Sequence, residues 1–298
     1  MPELPEVETI RRDLETTVIS NKIVALELFF LKTAKNDAAF FIKSLLNHQF
    51  ESISRTGKLL IFKIKKQDQE KEVKYLLIHL KMTGQLILVG KNKKLAGGHS
   101  LSENSFSAAV GGKLPNKYTR ASFSFRNGYQ LFFNDLRKFG YLKIVSGDEL
   151  SKIIKNGYGP EPLTKSFALE YLVSILKNKK INIKALLLNQ KLIAGLGNIY
   201  VDETLFLAGV KPDRAAGNLK KIEIAALYKA INQVIAKAIK YRGTTFNNYV
   251  DSSGQRGNFS RLLQVYGRAK EPCLKCGELI RKKKLAGRGT HYCLNCQK

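Results

Sequence analysis

Arg120-Ala121-Ser122-Phe123-Ser124-Phe125-Arg126-Asn127-Gly128-Tyr129-Gln130-Leu131-Phe132-Phe133-Asn134 is the stretch on which the reading of the first half turns. Two strand-like runs flank Asn127-Gly128, a dipeptide that readily takes the positive φ a tight connection needs, so a β-hairpin is predicted over 120–134. Upstream, strand-like runs at 22–30, 58–65, 73–80 and 85–89 extend the pattern. Residues 3–16 carry Leu4, Val7, Ile10 and Leu14 on one helical stripe. This half reads as a β-sandwich with a leading helix. Residues 91–117, rich in Lys, Gly and Ser, lack periodicity and read as a long flexible loop.

The pattern breaks at Gly157-Tyr158-Gly159-Pro160-Glu161-Pro162. Helix candidates follow at 167–177, 183–192, 199–208 and 219–241. The expected class is α+β: an N-terminal domain over 1–146, a linker at 147–165, a helical domain over 166–262 and a ribbon over 263–298. The ribbon rests on Cys273-Leu274-Lys275-Cys276 and Cys293-Leu294-Asn295-Cys296, two C-x-x-C pairs holding the only four cysteines of the chain. That spacing is expected of one zinc ion held by four thiolates, a structural site with no open position for water. Disulfides are the alternative, but no signal-peptide pattern is present.

Fifty-one Lys and Arg against 24 Asp and Glu give a formal charge of +27. Such an excess attracts polyanions, with DNA, ribosomal RNA and membrane surfaces all in view. No run of 18 apolar residues exists, so no span of a bilayer is expected and the chain is placed in the cytoplasm. The basic residues are spread along the chain rather than gathered in a tail.

The opening Met1-Pro2-Glu3-Leu4-Pro5-Glu6-Val7-Glu8 carries the candidate chemistry. With Met1 removed, Pro2 is a secondary amine whose pKa of roughly 8 leaves a useful neutral fraction. An amine attacking a sugar carbon gives an iminium, an electron sink for breaking the next bond. Glu3 and Glu6 lie within one helical turn of it. The plainer reading is that Pro2 and Pro5 merely start a helix.

Taken together these residues resemble the bacterial formamidopyrimidine-DNA glycosylases, which excise oxidised purines from duplex DNA and cleave the abasic site left behind. The resemblance runs nearly end to end. It is carried by the opening octet, Thr56-Gly57-Lys58, His79-Leu80-Lys81-Met82-Thr83-Gly84 and Asn134-Asp135-Leu136-Arg137-Lys138-Phe139-Gly140. Gly159-Pro160-Glu161-Pro162-Leu163, the run Ile193-Ala194-Gly195-Leu196-Gly197-Asn198-Ile199-Tyr200-Val201-Asp202-Glu203 and the four-cysteine ribbon complete it.

The resemblance implies Pro2 as nucleophile and Glu3 as acid, with Lys58 and Arg288 completing the catalytic set and Glu6 supporting it. It implies DNA contacts from Met82, Arg137, Phe139, Asn198 and Lys184. Lys58, Asn198 and Arg288 meet phosphates, while Met82, Arg137 and Phe139 fill the space of the extruded nucleotide. The plainer reading of Lys184 is a solvated surface lysine. One zinc would be held by Cys273, Cys276, Cys293 and Cys296, and the partner would be double-stranded DNA, bound by a monomer. Residues 243–267 resemble the segment that folds over a flipped purine, which favours purines over the pyrimidine substrates of endonuclease VIII-like enzymes. A non-catalytic zinc-ribbon nucleic-acid-binding protein is the third alternative. The chain departs from the family's Lys-His-x-His pattern at Lys117-Tyr118-Thr119-Arg120, so a DNA-contacting His is either replaced by Tyr118, which then is the DNA contact, or displaced.

Overall fold

Pro5 in the first turn and the Glu3–Glu6 pair start helix α1 (Leu4–Val18). The Glu3 backbone N–H has no intrahelical partner there and donates to the Glu6 carboxylate at 2.9 Å. Leu4, Val7, Ile10, Leu14 and Val18 form its buried face. The computed structural model describes residues 2–65, 72–91, 93–102, 105–244 and 259–298. Met1–Ile154 with Tyr241–Asn258 make one unit, and Lys155–Lys240 with Phe259–Lys298 a second.

In the first unit α1 is followed by β1 (Ile23–Leu28), α2 (Ala38–Lys43), β2 (Phe50–Thr56), β3 (Leu59–Ile64), β4 (Lys74–His79), β5 (Gly84–Val89), β6 (Lys94–Gly98), α3 (Phe106–Val110), β7 (Thr119–Phe125), β8 (Gln130–Asp135) and β9 (Tyr141–Ser146). Five strands form one sheet in the order β1-β7-β8-β5-β6, and four form another in the order β2-β3-β4-β9. One apolar core takes Leu86, Leu88, Phe123 and Phe133 from the first sheet and Leu60, Phe62, Ile78 and Leu142 from the second. Two sheets sharing a core make the expected sandwich, and α1 adds Val7, Ile10 and Leu14 to it.

The β7–β8 hairpin forms with a connection one residue longer than Asn127-Gly128. Phe125 N–H donates to Tyr129 O at 2.8 Å, leaving residues 126–128 as the loop. Gly128 takes φ 83° at its last position. This is the three-residue hairpin in which a left-handed residue follows a turn.

The stretch 91–117 is not the structureless loop its composition suggests. It contains β6, paired to β5, and α3. Glycines read as loop signals are close-approach positions here. A Cβ on Gly97 would stand 2.3 Å from the Ile10 side chain, and one on Gly98 2.4 Å from Gly84 O. Ala96, Val110, Ile87 and Phe132 close a small satellite core over this segment.

Helix α4 (Gly147–Gly157) occupies much of the stretch read as a linker. The second unit then builds α5 (Leu169–Leu176), α6 (Ile183–Leu188), α7 (Asn198–Leu207) and α8 (Lys221–Lys240). α6 ends four residues before its expected limit because Gln190 organises the turn that follows. Its side chain accepts from Gly195 N–H at 2.9 Å and donates to Leu196 O at 2.8 Å. The terminal ribbon is a hairpin of β10 (Arg281–Leu285) and β11 (Arg288–Tyr292). Ala286 and Gly287 both take positive φ, as its two-residue turn requires. Among the described residues no helix is long and apolar enough to cross a membrane.

Candidate functional site

Pro2 is buried and stands one residue before Glu3, the N-cap of α1. Glu3 is 2 % exposed and Glu6 fully buried. One Glu6 oxygen accepts the Glu3 backbone N–H; the other accepts the Thr244 N–H at 2.8 Å and its hydroxyl at 3.2 Å. Three donors on one buried carboxylate fix it in place. Gly243 has to be a glycine, since φ is 79° and a Cβ would lie 2.4 Å from Glu6 Oε1. The segment expected to cover a flipped purine continues through 245–258, outside the described residues.

Lys58 is the second residue of the two-residue β2–β3 turn, behind Gly57 at φ 57°. It is 7 % exposed, not the solvated strand-end lysine of the plainer reading. Its turn is tied back to α1. Arg55 Nη1 donates to Gly57 O at 2.8 Å, and Arg55 Nε to Glu8 at 3.2 Å. Glu8 also accepts from Arg11 and Arg12. Burial alone would raise the Glu8 pKa, but hydrogen bonds from Arg11 and Arg12 and the charges of Arg55 and Arg11 bring it down to about 2. A carboxylate of α1 thus locates the lysine-bearing turn.

His79, at the end of β4, packs at a tilt of 39° against the Tyr141 ring and accepts the Lys81 N–H on Nδ1 at 3.0 Å. Burial, then the charges of Lys81 and Lys58, push it down to about 3. It is therefore neutral at physiological pH, with its proton on Nε2.

Met82, Arg137 and Phe139 are brought together. Arg137 Nη1 lies 3.1 Å from Met82 Sδ, and its guanidinium carbon 4.7 Å from the centroid of the Phe139 ring. Phe139 is 52 % exposed, so this group faces solvent rather than the core. Asp135, wholly buried, shapes the loop beneath it by accepting from the Thr83 hydroxyl and the backbone N–H groups of Arg137 and Gly140. Tyr118 is half-buried on the neighbouring turn. Lys117 Nζ lies 5.2 Å from its ring centroid, and a Cβ on Gly111 would meet the ring at 2.7 Å.

In the second unit Asn198 opens α7 and donates to Gly289 O at 2.9 Å, next to the exposed Arg288. Lys184 needs correcting. It is fully buried, with Nζ 2.6 Å from Asp202 Oδ1 and 3.2 Å from Gly289 O. Its ammonium has no route to a phosphate, nor is it a solvated surface group. Asp202 also accepts the His291 N–H at 2.8 Å. Beside it Glu203 accepts three backbone N–H groups, from Gln264, Val265 and Tyr266. Burial raises its pKa, opposed by those bonds. Two adjacent carboxylates on α7 thus hold the ribbon and the segment leading into it.

The four cysteine sulfurs lie within 4.8 Å of one another. Cys273–Cys296 is 3.9 Å and Cys276–Cys293 3.5 Å. A tetrahedron of thiolates about 2.3 Å from one ion has edges of about 3.8 Å, so the set fits zinc.

His79, Arg55, Glu8, Asp135 and Asp202 were given no role from sequence. Glu8, His79, Asp135 and Asp202 stood inside quoted motifs, a signal within reach. The roles of Arg55 and Asp202 depend on partners brought close only by the fold.

Family models match three parts of the chain: the formamidopyrimidine-DNA glycosylase N-terminal domain over residues 1–142, the H2TH domain of the same enzymes over 158–250, and a zinc finger found in FPG and IleRS over 270–298. A formamidopyrimidine-DNA glycosylase of Carboxydothermus hydrogenoformans is 38% identical over 299 residues, covering 100% of both chains. A solved Lactococcus lactis FPG variant in complex with Fapy-dG-containing DNA is similar at a TM-score of 0.84, with 35% identity and 100% of both chains covered. So is Lactococcus lactis Fpg with abasic-site DNA, at a TM-score of 0.84 and 35% identity over 99% of both chains.

Proposed function

The chain belongs to the formamidopyrimidine-DNA glycosylase family and is a base-excision-repair glycosylase with lyase activity at the abasic site, and from that premise we propose how its residues divide the work. Its substrate is duplex DNA carrying an oxidised purine. Pro2, with Met1 removed, attacks the anomeric carbon of the damaged nucleotide. The new C–N bond forms as the glycosidic bond breaks, and the base leaves with the proton that the Pro2 nitrogen gives up. Glu3 supplies a proton to the ring oxygen as the sugar opens to an iminium. That cation acidifies the neighbouring carbon, and losing its proton expels the 3′ phosphate. A second elimination expels the 5′ phosphate and leaves a gap with phosphate at both ends.

What supports this reading most directly is the anchoring of the Pro2 end. Glu6 is committed to the Glu3 N–H and to Thr244, so it holds the nucleophile and its acid in register. Lys58 is placed by Arg55 and Glu8 to neutralise a phosphate beside the reacting sugar. Met82, Arg137 and Phe139 form the cluster that replaces the extruded nucleotide, and Asn198 and Arg288 grip the backbone. Zinc, held by the four cysteines, stiffens the ribbon and takes no part in bond breaking. In this reading the enzyme acts as a monomer.

Borohydride reduction during turnover tests the central step. On DNA with oxidised guanine it should trap a covalent adduct on Pro2, and Pro2→Gly should reduce the yield sharply. An adduct mapped to an internal lysine with Pro2 unmodified would discard the mechanism.

A further inference from the structure

We propose that Arg120, with Phe30, is a positioning residue for the loop that carries Arg137 and Phe139. The proposal rests on the reading above in which that loop fills the space of the extruded nucleotide. Arg120 lies on β7 and is 8 % exposed. Its Nε donates to Asp135 O at 2.9 Å and its Nη1 to Lys117 O at 3.1 Å. Asp135 ends β8, so its carbonyl marks the point where the chain leaves the sheet for the loop.

The same guanidinium stands 5.9 Å from the centroid of the Phe30 ring. Lys138, at the loop's middle with φ 59°, brings its Nζ to 5.0 Å from that centroid. Phe30 is itself fixed to β7, its N–H and that of Phe29 both pointing at Arg120 O, at 3.3 and 2.9 Å. These contacts close a circuit from β7 through β8, the loop and Phe30 back to β7. The Asp135 carboxylate sets the turn inside the loop; Arg120 sets where the loop departs from the sheet. Only a guanidinium suits the place, because a planar fork can bond two carbonyls while its face meets a ring. Lysine offers one compact charge and cannot do both. Arg120 occupies the last place of the Lys117–Arg120 segment, where the chain departs from its family's His.

Two reactions of the enzyme separate this role from a general structural one. Excision of oxidised guanine requires a base to be pushed out of the stack and its place filled, whereas an abasic site has no base to extrude. Arg120→Met keeps bulk and removes both donors. Under single-turnover conditions it should slow excision by about tenfold, the loss expected for a charge-assisted hydrogen bond. Cleavage of abasic duplex should change by less than about twofold. Phe30→Leu, which removes only the ring, should show the same split and carries the test if thermal melting shows Arg120→Met to be unfolded. Phe139→Ala should slow excision, and adding Arg120→Met to it should slow excision little further, because the two act through one loop.

Equal slowing of both reactions by Arg120→Met or Phe30→Leu would make the role purely structural and overturn the proposal. Unchanged excision in those variants, with Phe139→Ala impaired, would overturn it while leaving the wedge reading intact. Unchanged excision in Phe139→Ala would retire the wedge reading and this proposal with it.

Discussion

Lys184 Nζ stands 2.6 Å from Asp202 Oδ1, and neither side chain is exposed. The pair joins α6 to α7, and through Gly289 O and the His291 N–H it reaches the ribbon hairpin. Removing one partner of such a pair strands a buried charge at a cost of about 3–5 kcal/mol, whereas replacing both by apolar groups is often neutral. Lys184→Met should therefore lower the melting temperature markedly, and Lys184→Met with Asp202→Leu should recover much of the loss. The salt dependence of DNA binding should be unaltered in any folded variant, since the ammonium meets no phosphate. A slope reduced by a full phosphate in Lys184→Met would restore the DNA-contact assignment that burial contradicts.

Glu8 sets an acid limit on the first unit. Its carboxyl is held near 2 in the folded protein against an ordinary 4.5. A depressed folded pKa contributes stability that is complete above the unfolded value and is lost as pH falls through the folded one. The loss should run from about pH 4.5 down to about pH 2 and amount to something on the order of 3 kcal/mol. Urea unfolding across that range should show Glu8→Gln to be less stable near neutrality and less sensitive to acid. Equal acid sensitivity in the two proteins would count against the Arg11–Arg12–Arg55 cluster as its source.

The zinc set makes a separate prediction. Elemental analysis should give one zinc per chain, and Cys276→Ser should lower metal content and DNA affinity together, because metal binding and ribbon folding are one equilibrium. Helices α5 and α8, built on their own apolar faces, should keep their circular-dichroism signal. Undiminished DNA affinity in metal-free protein would remove the ribbon from the binding surface.

What was legible in the sequence follows from which interactions are local. The Cys spacing, the α1 stripe and the hairpin at Asn127-Gly128 each depend on residues a few positions apart, and each was read. The glycines at 97 and 98 were read as loop signals because flexibility and close approach leave the same mark on a sequence. Only the position of Ile10 and Gly84 across the fold tells the two apart. Lys184 was misplaced for a related reason. Its partner lies eighteen residues away on another helix, and no periodicity links them. Pro2 stood out as a candidate nucleophile from the chemistry of the opening octet, whereas the loop cluster of Met82, Arg137 and Phe139 came from the family resemblance, since nothing in strand periodicity distinguishes a surface Phe from a core one.

Arg288 and Asn198 offer the sharpest contrast between the kinds of DNA contact proposed above. Arg288 is exposed at the start of β11, while Asn198 holds the carbonyl of the next residue, Gly289. Each duplex phosphate neutralised by a cation contributes a slope of about 0.9 to the dependence of log affinity on log salt. Arg288→Ala should therefore weaken damaged and undamaged DNA alike and lower the slope by about that amount. Asn198 is uncharged, and Gly289 O keeps its second donor, Lys184 Nζ at 3.2 Å, when the amide is lost. The hairpin should stay in place, so Asn198→Ala should reduce affinity with the slope nearly intact. Fluorescence anisotropy with labelled duplex over a salt series reads both quantities at once. If Arg288→Ala changed neither affinity nor slope while zinc content stayed at one per chain, Arg288 would have to be removed from the DNA face. If Asn198→Ala lowered the slope as much as Arg288→Ala, Asn198 would be acting through the hairpin by placing Arg288, and its direct contact with DNA would be ruled out.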